Sequence, residues 1–573
     1  MSLPSYRNIV ILLLFQNLNV KDMKNLLIIT FFCFFLVVYS FAKPKESSSF
    51  NPYSVVRAQV SSDGNNIATK IWNTGVFNQN LLTTNTPGFE WPKNSGKFAI
   101  FTTGLSMATY IDNSLRMAVA SYLGEYAPGY VLNGVFETNA SFKLYKVNRG
   151  DNNSNPDYAN WGLMVPFGAP YDDVNNNGVY DPGTDKPGVK NAAQTIFVCL
   201  TDADPSNHTA SEGFSGGTLP VFAEMHFSVW SYDITGLEDV QFLKMEVVNK
   251  NNMPWTRTRF GLVVDPDLGF TDDDYVGCDI PRNLGFCYNA DNVDGDGGIN
   301  SYGINPPAVG IDMLKGGVNR SVNPNVDMYM TSFNFYSNGG SILCEGDPTG
   351  GPGQSYNLLR GLKRDSTKYV NANTMQSTKY CYSGDPEPAV GWTEFTGKVS
   401  NCGGDTTGTV VSPSTPGDRR FIMGSGADNF TILPGEKQTF VFAQLIARGA
   451  NNKNAVTKLK ALDDIVQLFY NANLNVGVTS LSVELPEKFS LYQNYPNPFN
   501  PSTKIKFDLD KSGFASLIVY NVAGKEITRL VSQNLNSGSY EFEFNAADLP
   551  SGVYFYKLET PTTSMVKKMS LIK

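Results

Sequence analysis

The sequence predicts a mainly β protein: a large β-sandwich-type body with long loops and one helix near its carboxy end, followed by a small immunoglobulin-like β-sandwich. Three observations carry this expectation. Aromatic residues fill 12% of the 573 positions and charged residues only 17%, while Gly and Pro number 52 and 32; that mix suits strands and ordered turns better than helices. Apolar residues alternate at period two through many segments. A single segment repeats at the three- and four-residue spacing of a helix. Four parts follow from these patterns: a signal peptide over 1–42, a β-rich body over 43–475 built as one sandwich or two packed ones, a linker over 476–486, and a tail domain over 487–573.

The amino end reads as an export signal. Lys24 precedes an apolar run from Leu26 to Val38, and Ser40-Phe41-Ala42 supplies a small-x-small cleavage site. The run is too short for a comfortable membrane span. Met23 is the expected true start, because residues 1–22 place a second apolar run, Ile9 to Phe15, ahead of the signal.

In the body, Phe98 to Gly104 and Ser114 to Tyr122 read as early strands. From Val221 to Tyr232 the alternation is clear: Met225, Phe227 and Val229 share one face, Glu224, His226 and Ser228 the other. Val240 to Asn249 and Thr256 to Val264 continue the meander. From Asp265 to Gly424 the chain is rich in Gly, Asn, Asp and Pro, too long for one bare loop, so short strands within ordered loops are expected. Phe430 to Leu433, the turn Pro434-Gly435-Glu436 and Thr439 to Arg448 suggest a hairpin. Over Asn454 to Asn471, the residues Ala455, Val456, Leu459, Leu462, Val466 and Phe469 form an apolar stripe that should cover a sheet edge or close the body, with Lys458, Lys460, Asp463 and Asp464 on the far side.

The tail repeats the strand signal. Ile505, Phe507 and Leu509 alternate with polar residues, as do Tyr540, Phe542 and Phe544. Ala515 to Val522 is apolar almost throughout, Ala523-Gly524-Lys525 and Leu549-Pro550-Ser551-Gly552 are turns, and Val553 to Leu558 is an aromatic strand. Within it, the stretch Tyr495 to Thr503 (Tyr-Pro-Asn-Pro-Phe-Asn-Pro-Ser-Thr), the block Asn545 to Lys557 and the basic end Lys567, Lys568 and Lys573 resemble the type A C-terminal sorting domain of the type IX (Por) secretion system. That resemblance implies passage across the outer membrane, then removal of the domain and release or surface anchoring. The secretion and sorting machinery is the partner it implies for residues 487–573. The body segments Gly88 to Pro92, Tyr122 to Tyr126, Asp273 to Asp279 and Asn283 to Asn289 resemble large exported proteins that carry such tails, a likeness that brings no activity with it.

The formal net charge of −8 argues against a nucleic acid or an anionic membrane as partner. No segment after the signal reaches membrane-spanning length. Six cysteines follow the signal: Cys199, Cys278, Cys287, Cys344, Cys381 and Cys402. Export permits disulfides. Proximity favours Cys278 with Cys287, then Cys381 with Cys402, although sequence selects no pairing.

Two segments have the spacing of a calcium loop, in which alternate residues aim oxygens inward and a glycine permits the sharp turn. In the first, Asp173, Asn175, Asn177, Val179 and Asp181 follow that frame, with Asp185 one step beyond the position of the usual terminal glutamate. In the second, Asn292, Asp294, Asp296 and Asn300 follow it. Lacking that glutamate, both predict weak calcium binding, of order 10⁻⁴–10⁻³ M; plain Asx turns are the alternative. Asp265, Asp267, Asp272, Asp273 and Asp274 form a third acidic run, read as a solvated loop or as a set sharing an ion with the second segment.

The two histidines, His208 and His226, lie in a polar loop and on the polar face of a strand, and His226 beside Glu224 and Ser228 suits a satisfied strand histidine. No phosphate-binding loop occurs. The six tryptophans are scattered, as core packing would have them. The function expected is therefore that of a secreted or cell-surface protein, structural, adhesive or ligand-binding, with a surface glycan or cell-envelope component as its other candidate partner. The alternative is a secreted hydrolase of polysaccharide or protein working through a carboxylate pair, for which a cleft with two carboxyl groups at glycosidase separation would speak.

Overall fold

The computed structural model describes residues 57–80, 86–209, 213–295, 300–338, 343–474, 479–480, 488–511, 513–535, 538–547 and 549–573. The expected signal peptide, all of the linker but Thr479 and Ser480, and Asp296 lie outside them. The fold is mostly β, with 46% strand and 11% helix.

Two large antiparallel sheets build the body. An eight-stranded sheet runs in the spatial order Gln59–Ser62, Thr69–Trp72, Val76–Phe77, Thr102–Ile111, Thr256–Asp265, Arg419–Gly426 and Ser332–Ser337, with Ser114–Ala118 paired to Thr102–Ile111. A nine-stranded sheet runs Ala127–Pro128, Gln194–Thr201, Ala223–Ser231, Val240–Asn249, Lys437–Arg448, Pro307–Lys315, Leu284–Asn289 and Asp274–Asp279, with Tyr145–Asn148 paired to Gln194–Thr201. The sheets share one core. Leu105, Met107, Phe260, Leu262 and Met423 from the first meet Met225, Phe227, Val229, Leu243 and Phe442 from the second. Each is buried, a gain of roughly 1.5–3 kcal/mol per side chain. The alternation seen at Ala223–Ser231 is what places Met225, Phe227 and Val229 there.

The other face of the nine-stranded sheet is covered too. Helix Asn452–Asn473 starts at Asn451, whose side chain accepts the Asn454 amide at 2.9 Å. Its Ala455, Val456, Leu459, Val466 and Tyr470 pack on Trp230, Phe242, Leu284 and Leu445. On the outer face of the eight-stranded sheet, helix Pro352–Leu359 sets Tyr356, Leu358 and Leu359 against Ala108, Val263 and Ile422. The tail is a second sandwich of two four-stranded sheets, with Ile505, Phe507, Leu517, Val519, Tyr540, Tyr556 and Leu558 between them. All six tryptophans are buried.

Four expectations are corrected. Lys437–Arg448 pairs with Val240–Asn249 and Pro307–Lys315, while Ile432 bridges to Trp255, so the expected hairpin is two separate pairings. The helix covers a sheet face, not an edge, and Lys460, Asp463 and Asp464 are buried on it. The disulfide is Cys344–Cys402, with Cys199, Cys278, Cys287 and Cys381 free and buried. Cys278 faces Gly285 and Cys287 faces Val276, so the two thiols are diagonal neighbours, farther apart than a disulfide tolerates. Finally, the third acidic run is no single solvated loop: Asp265 and Asp274 are fully buried and only Asp272 is exposed.

Candidate functional site

Asp265 ends the strand Thr256–Asp265, and its antiparallel neighbour Arg419–Gly426 begins beside it, with Val264 opposite Phe421. This pairing brings Asp418 and Arg420 to Asp265 from far along the chain. Tyr122 and Leu123 arrive from the loop after Ser114–Ala118, Asp267 from the turn after Asp265, and Asp347 from the loop after Ser332–Ser337. Together with Gln79, Phe101, Gly213 and Thr349 they line a cavity of about 580 Å³.

Its polar wall is wired from Arg420. The Nη1 group donates to Asp418 Oδ1 at 2.7 Å, and Nε donates to the Tyr122 hydroxyl at 3.0 Å. Tyr122 in turn donates to Asp265 Oδ2 at 2.6 Å. Arg420 Nε also stands 3.3 Å from Asp265 Oδ1, but its one hydrogen goes to Tyr122, and Oδ1 receives no hydrogen bond. Asn338 Nδ2 donates to Asp418 Oδ2 at 3.1 Å. Carboxylate oxygens of Asp265, Asp267 and Asp418 lie within 4.8 Å of one another.

Burial pushes the Asp265 carboxyl up to about 6 against the pull of Arg420. Burial and the neighbouring Asp265 raise Asp267 well above the carboxylate range, and burial raises Asp347. Burial disfavours the Arg420 charge, but Asp265, Tyr122 and Asp418 outweigh it and hold the guanidinium protonated. The cleft thus combines proton-binding carboxyls, one fixed cation and the rings of Phe101 and Tyr122, 6.3 Å apart. Such a lining can hold a cation or the hydroxyls of a polar ligand.

The first calcium-type loop joins Tyr171–Asp172 to Lys186–Pro187. Asp173 accepts the amides of Asn177 at 3.1 Å and Gly178 at 2.7 Å, and Gly178 takes φ +76°. Asn175 and Asn177 aim their side-chain nitrogens at Asp181, at 2.9 and 2.6 Å, and so hold its carboxyl below the usual range. Val179 is exposed. Asp185, 2% exposed, accepts the amides of Val174 and Asp181. Asp173, Asn175, Asn177, Asp181 and Asp185 are therefore brought into one turn.

The second segment is differently employed. Asp294 is buried and accepts the amides of Phe270, at 2.9 Å, and Tyr302. Asn292 donates to Asn305 at 2.8 Å and accepts the Asn452 amide at 3.0 Å, at the first turn of the long helix. Asn300 is exposed.

Both histidines are held between carboxylates. His208 lies between Asp202 and Glu125, while Asp202 accepts the amides of Val221 and Ala223 at 2.6 Å each. His226 lies between Glu224, at 3.2 Å, and Glu246, at 3.8 Å. Burial works against the charge of each, yet the carboxylates beside them raise both imidazoles.

The sequence marked Asp265 and Asp267 only as members of an acidic run. Asp347, Asp418 and Arg420 carried no local signal, because strand pairing and long loops assemble them, and Tyr122 stood only in a segment whose likeness brings no activity.

A two-sheet sandwich with a carboxylate cleft at one end, joined to a small eight-stranded sandwich, is the class of protein the geometry defines. The tail narrows it. Residues 493–573 match the family described as the secretion system C-terminal sorting domain, and this indicates export by the type IX secretion system, to the cell surface or the medium, with the secretion machinery as partner. No curated protein matches the chain. One structure that it retrieves is of PorZ, described as an essential bacterial surface component of the type-IX secretion system of Porphyromonas gingivalis. It shares 11% identity over 90% of this chain and 75% of its own, with a TM-score of 0.13, too low for the superposition to bear on the fold. No described helix is long and apolar enough to cross a membrane.

Proposed function

We propose that this is a cell-surface or secreted protein that acts by holding a ligand in the carboxylate cleft without turning it over. The cleft's lining is the observation that carries the reading: four aspartates, one arginine and two aromatic rings around about 580 Å³. Carboxylates and a guanidinium hydrogen-bond hydroxyl groups, and aromatic rings cover the apolar faces of sugar rings, so a surface glycan or another polyhydroxylated envelope component is the ligand class that fits. An amino-terminal signal peptide would feed the type IX route that the tail indicates. Calcium belongs to the same reading. The turn Asp173 to Asp185 gathers its acidic and amide side chains as a calcium loop does, and a half-turn of the Asn175 and Asn177 amides would present oxygens in place of nitrogens.

Glycan-array binding by the purified exported protein, run beside a hydrolysis screen, tests this. Binding lost in Tyr122→Ala or Asp418→Ala, with no turnover, is the expected result. One observation favours a second reading, hydrolysis: Asp265, up at about 6, shares the cleft with the arginine-bound Asp418, a pairing of proton donor and carboxylate that glycosidases use. Turnover abolished by either Asp265→Asn or Asp418→Asn would establish it.

A further inference from the structure

We infer that Lys363 and Asn401 become joined by a covalent side-chain amide, an isopeptide crosslink, with Glu345 as the group that moves the protons. Three separate segments bring these residues together. Glu345 ends the 3-10 turn Leu343–Glu345, Lys363 lies in the loop after the helix Pro352–Leu359, and Asn401 follows the strand Lys398–Ser400. The disulfide Cys344–Cys402 joins the immediate neighbours of Glu345 and Asn401 and so fixes the two beside each other.

All three are buried: Lys363 is 1% exposed, Glu345 3% and Asn401 5%. Lysine is almost never so far removed from water without a partner. Here Nζ donates to Glu345 Oε1 at 2.6 Å, to Asn401 Oδ1 at 2.8 Å and to the Asn401 carbonyl oxygen at 2.9 Å. Asn401 Cγ stands one C=O bond, about 1.2 Å, beyond Oδ1, so Nζ lies no more than about 4 Å from the carbon it would attack. That is close to the roughly 3–3.5 Å at which reacting atoms are poised. The leaving nitrogen is held too, since Asn401 Nδ2 donates to the carbonyls of Lys368, at 3.3 Å, and Asp405. Lys398, partly open to solvent, donates to Glu345 Oε2 at 2.9 Å and anchors the carboxyl. The Tyr369 ring covers Nζ from another side, 5.4 Å from its centroid.

The reaction is an amide exchange in which nothing is oxidised or reduced. Glu345 takes one proton from the Lys363 ammonium and leaves a neutral amine, a step that removes two buried charges at once. The amine attacks Asn401 Cγ, and the Nζ–Cγ bond forms. Glu345 hands its proton to Nδ2 and takes a second from Nζ. The Cγ–Nδ2 bond then breaks, and ammonia departs with the proton left on Glu345, as ammonium. The product ties positions 38 residues apart. Reducing agents would not open it, although they open the disulfide beside it.

Tryptic mapping of the purified full-length protein by mass spectrometry, after reduction and alkylation, tests the crosslink. The expected product is one species that joins residues 361–364 to residues 399–419. It should be lighter than the two peptides together by one ammonia, with no cleavage after Lys363. Glu345→Gln keeps the side chain's shape but takes up no proton, so it should yield the two peptides apart, as should Asn401→Ala. Separate, unmodified peptides from the unaltered protein overturn the inference, whether or not the variants fold. Loss of ammonia within 399–419 without a joined partner would mean that Asn401 closes on its own backbone, and overturns it as well. A joined species that persists in Glu345→Gln would overturn the role given to Glu345.

Discussion

Asp265 is 3% exposed, and its better-satisfied oxygen depends on one donor, the Tyr122 hydroxyl at 2.6 Å. Removing that donor leaves a buried acid with less support, the costly half of any hydrogen-bond exchange. Tyr122→Phe should therefore cost about 1.5–3 kcal/mol, read as a lower denaturant midpoint with an unchanged slope. No change in the midpoint would mean that Asp265 is held by other groups. This residue also marks the limit of reading from sequence. Asp265 and Asp267 sit in a visible acidic run, but their partners Asp418, Asp347 and Arg420 enter only through strand pairing and long loops. Spacing records neighbours along the chain, whereas this site is made of neighbours across a sheet.

At the scale of elements, the long helix was the most legible part of the body. Its stripe of Ala455, Val456, Leu459 and Val466 packs as its spacing required. Its acidic face was misread for a physical reason: helical periodicity reports where apolar residues go and is blind to a polar residue buried with a partner. Asp463 and Asp312 of the strand Pro307–Lys315 are both fully buried and face each other. Burial pushes Asp312 up to about 8 and raises Asp463 well above the ordinary range, with Arg282 opposing in both cases. Two carboxyls buried this close resist double ionisation, so the pair keeps a proton to higher pH than a free aspartate does. Arg282, Asp279, Asp464, Tyr329 and Tyr470 are the other titratable groups around it.

The sign of the pH dependence follows. The folded state holds this proton more tightly than the unfolded chain, whose aspartates titrate near 3.9. Stability from the pair is full below about pH 4 and is lost progressively as pH rises through about 8. Melting temperature should fall across that window, and Asp463→Asn should flatten the fall, since an amide can donate to Asp312 at every pH. An unchanged slope in that variant would exclude the retained proton. The buried imidazoles of His208 and His226 are also raised and add a decline in the same direction, which the variant leaves in place.

For the whole molecule, the tail's strands were legible because apolar runs and alternations are divided by clear turns, although their pairing skips along the chain, Ser502–Leu509 with Gly538–Asn545 and Gly513–Asn521 with Gly552–Glu559. The body's order of strands was not, since Arg419–Gly426 pairs with Thr256–Asp265 across a long intervening segment. The disulfide follows the same rule: Cys344 reaches Cys402 across 58 residues, while nearer thiols stay apart on one sheet face. Closing a loop of that length should be worth about 4 kcal/mol. A Cys344→Ser, Cys402→Ser protein should lose that much in denaturant unfolding and should gain nothing from an oxidising buffer. Equal stability of the two proteins would show the bridge to be idle.

The tail's role is settled by locating the body with and without residues 493–573 in a bacterium that owns a type IX system. The intact chain should deliver its body to the cell surface or the medium, shortened at the carboxy end, while the truncated chain should stay inside the outer membrane. The same location for both proteins would contradict the account.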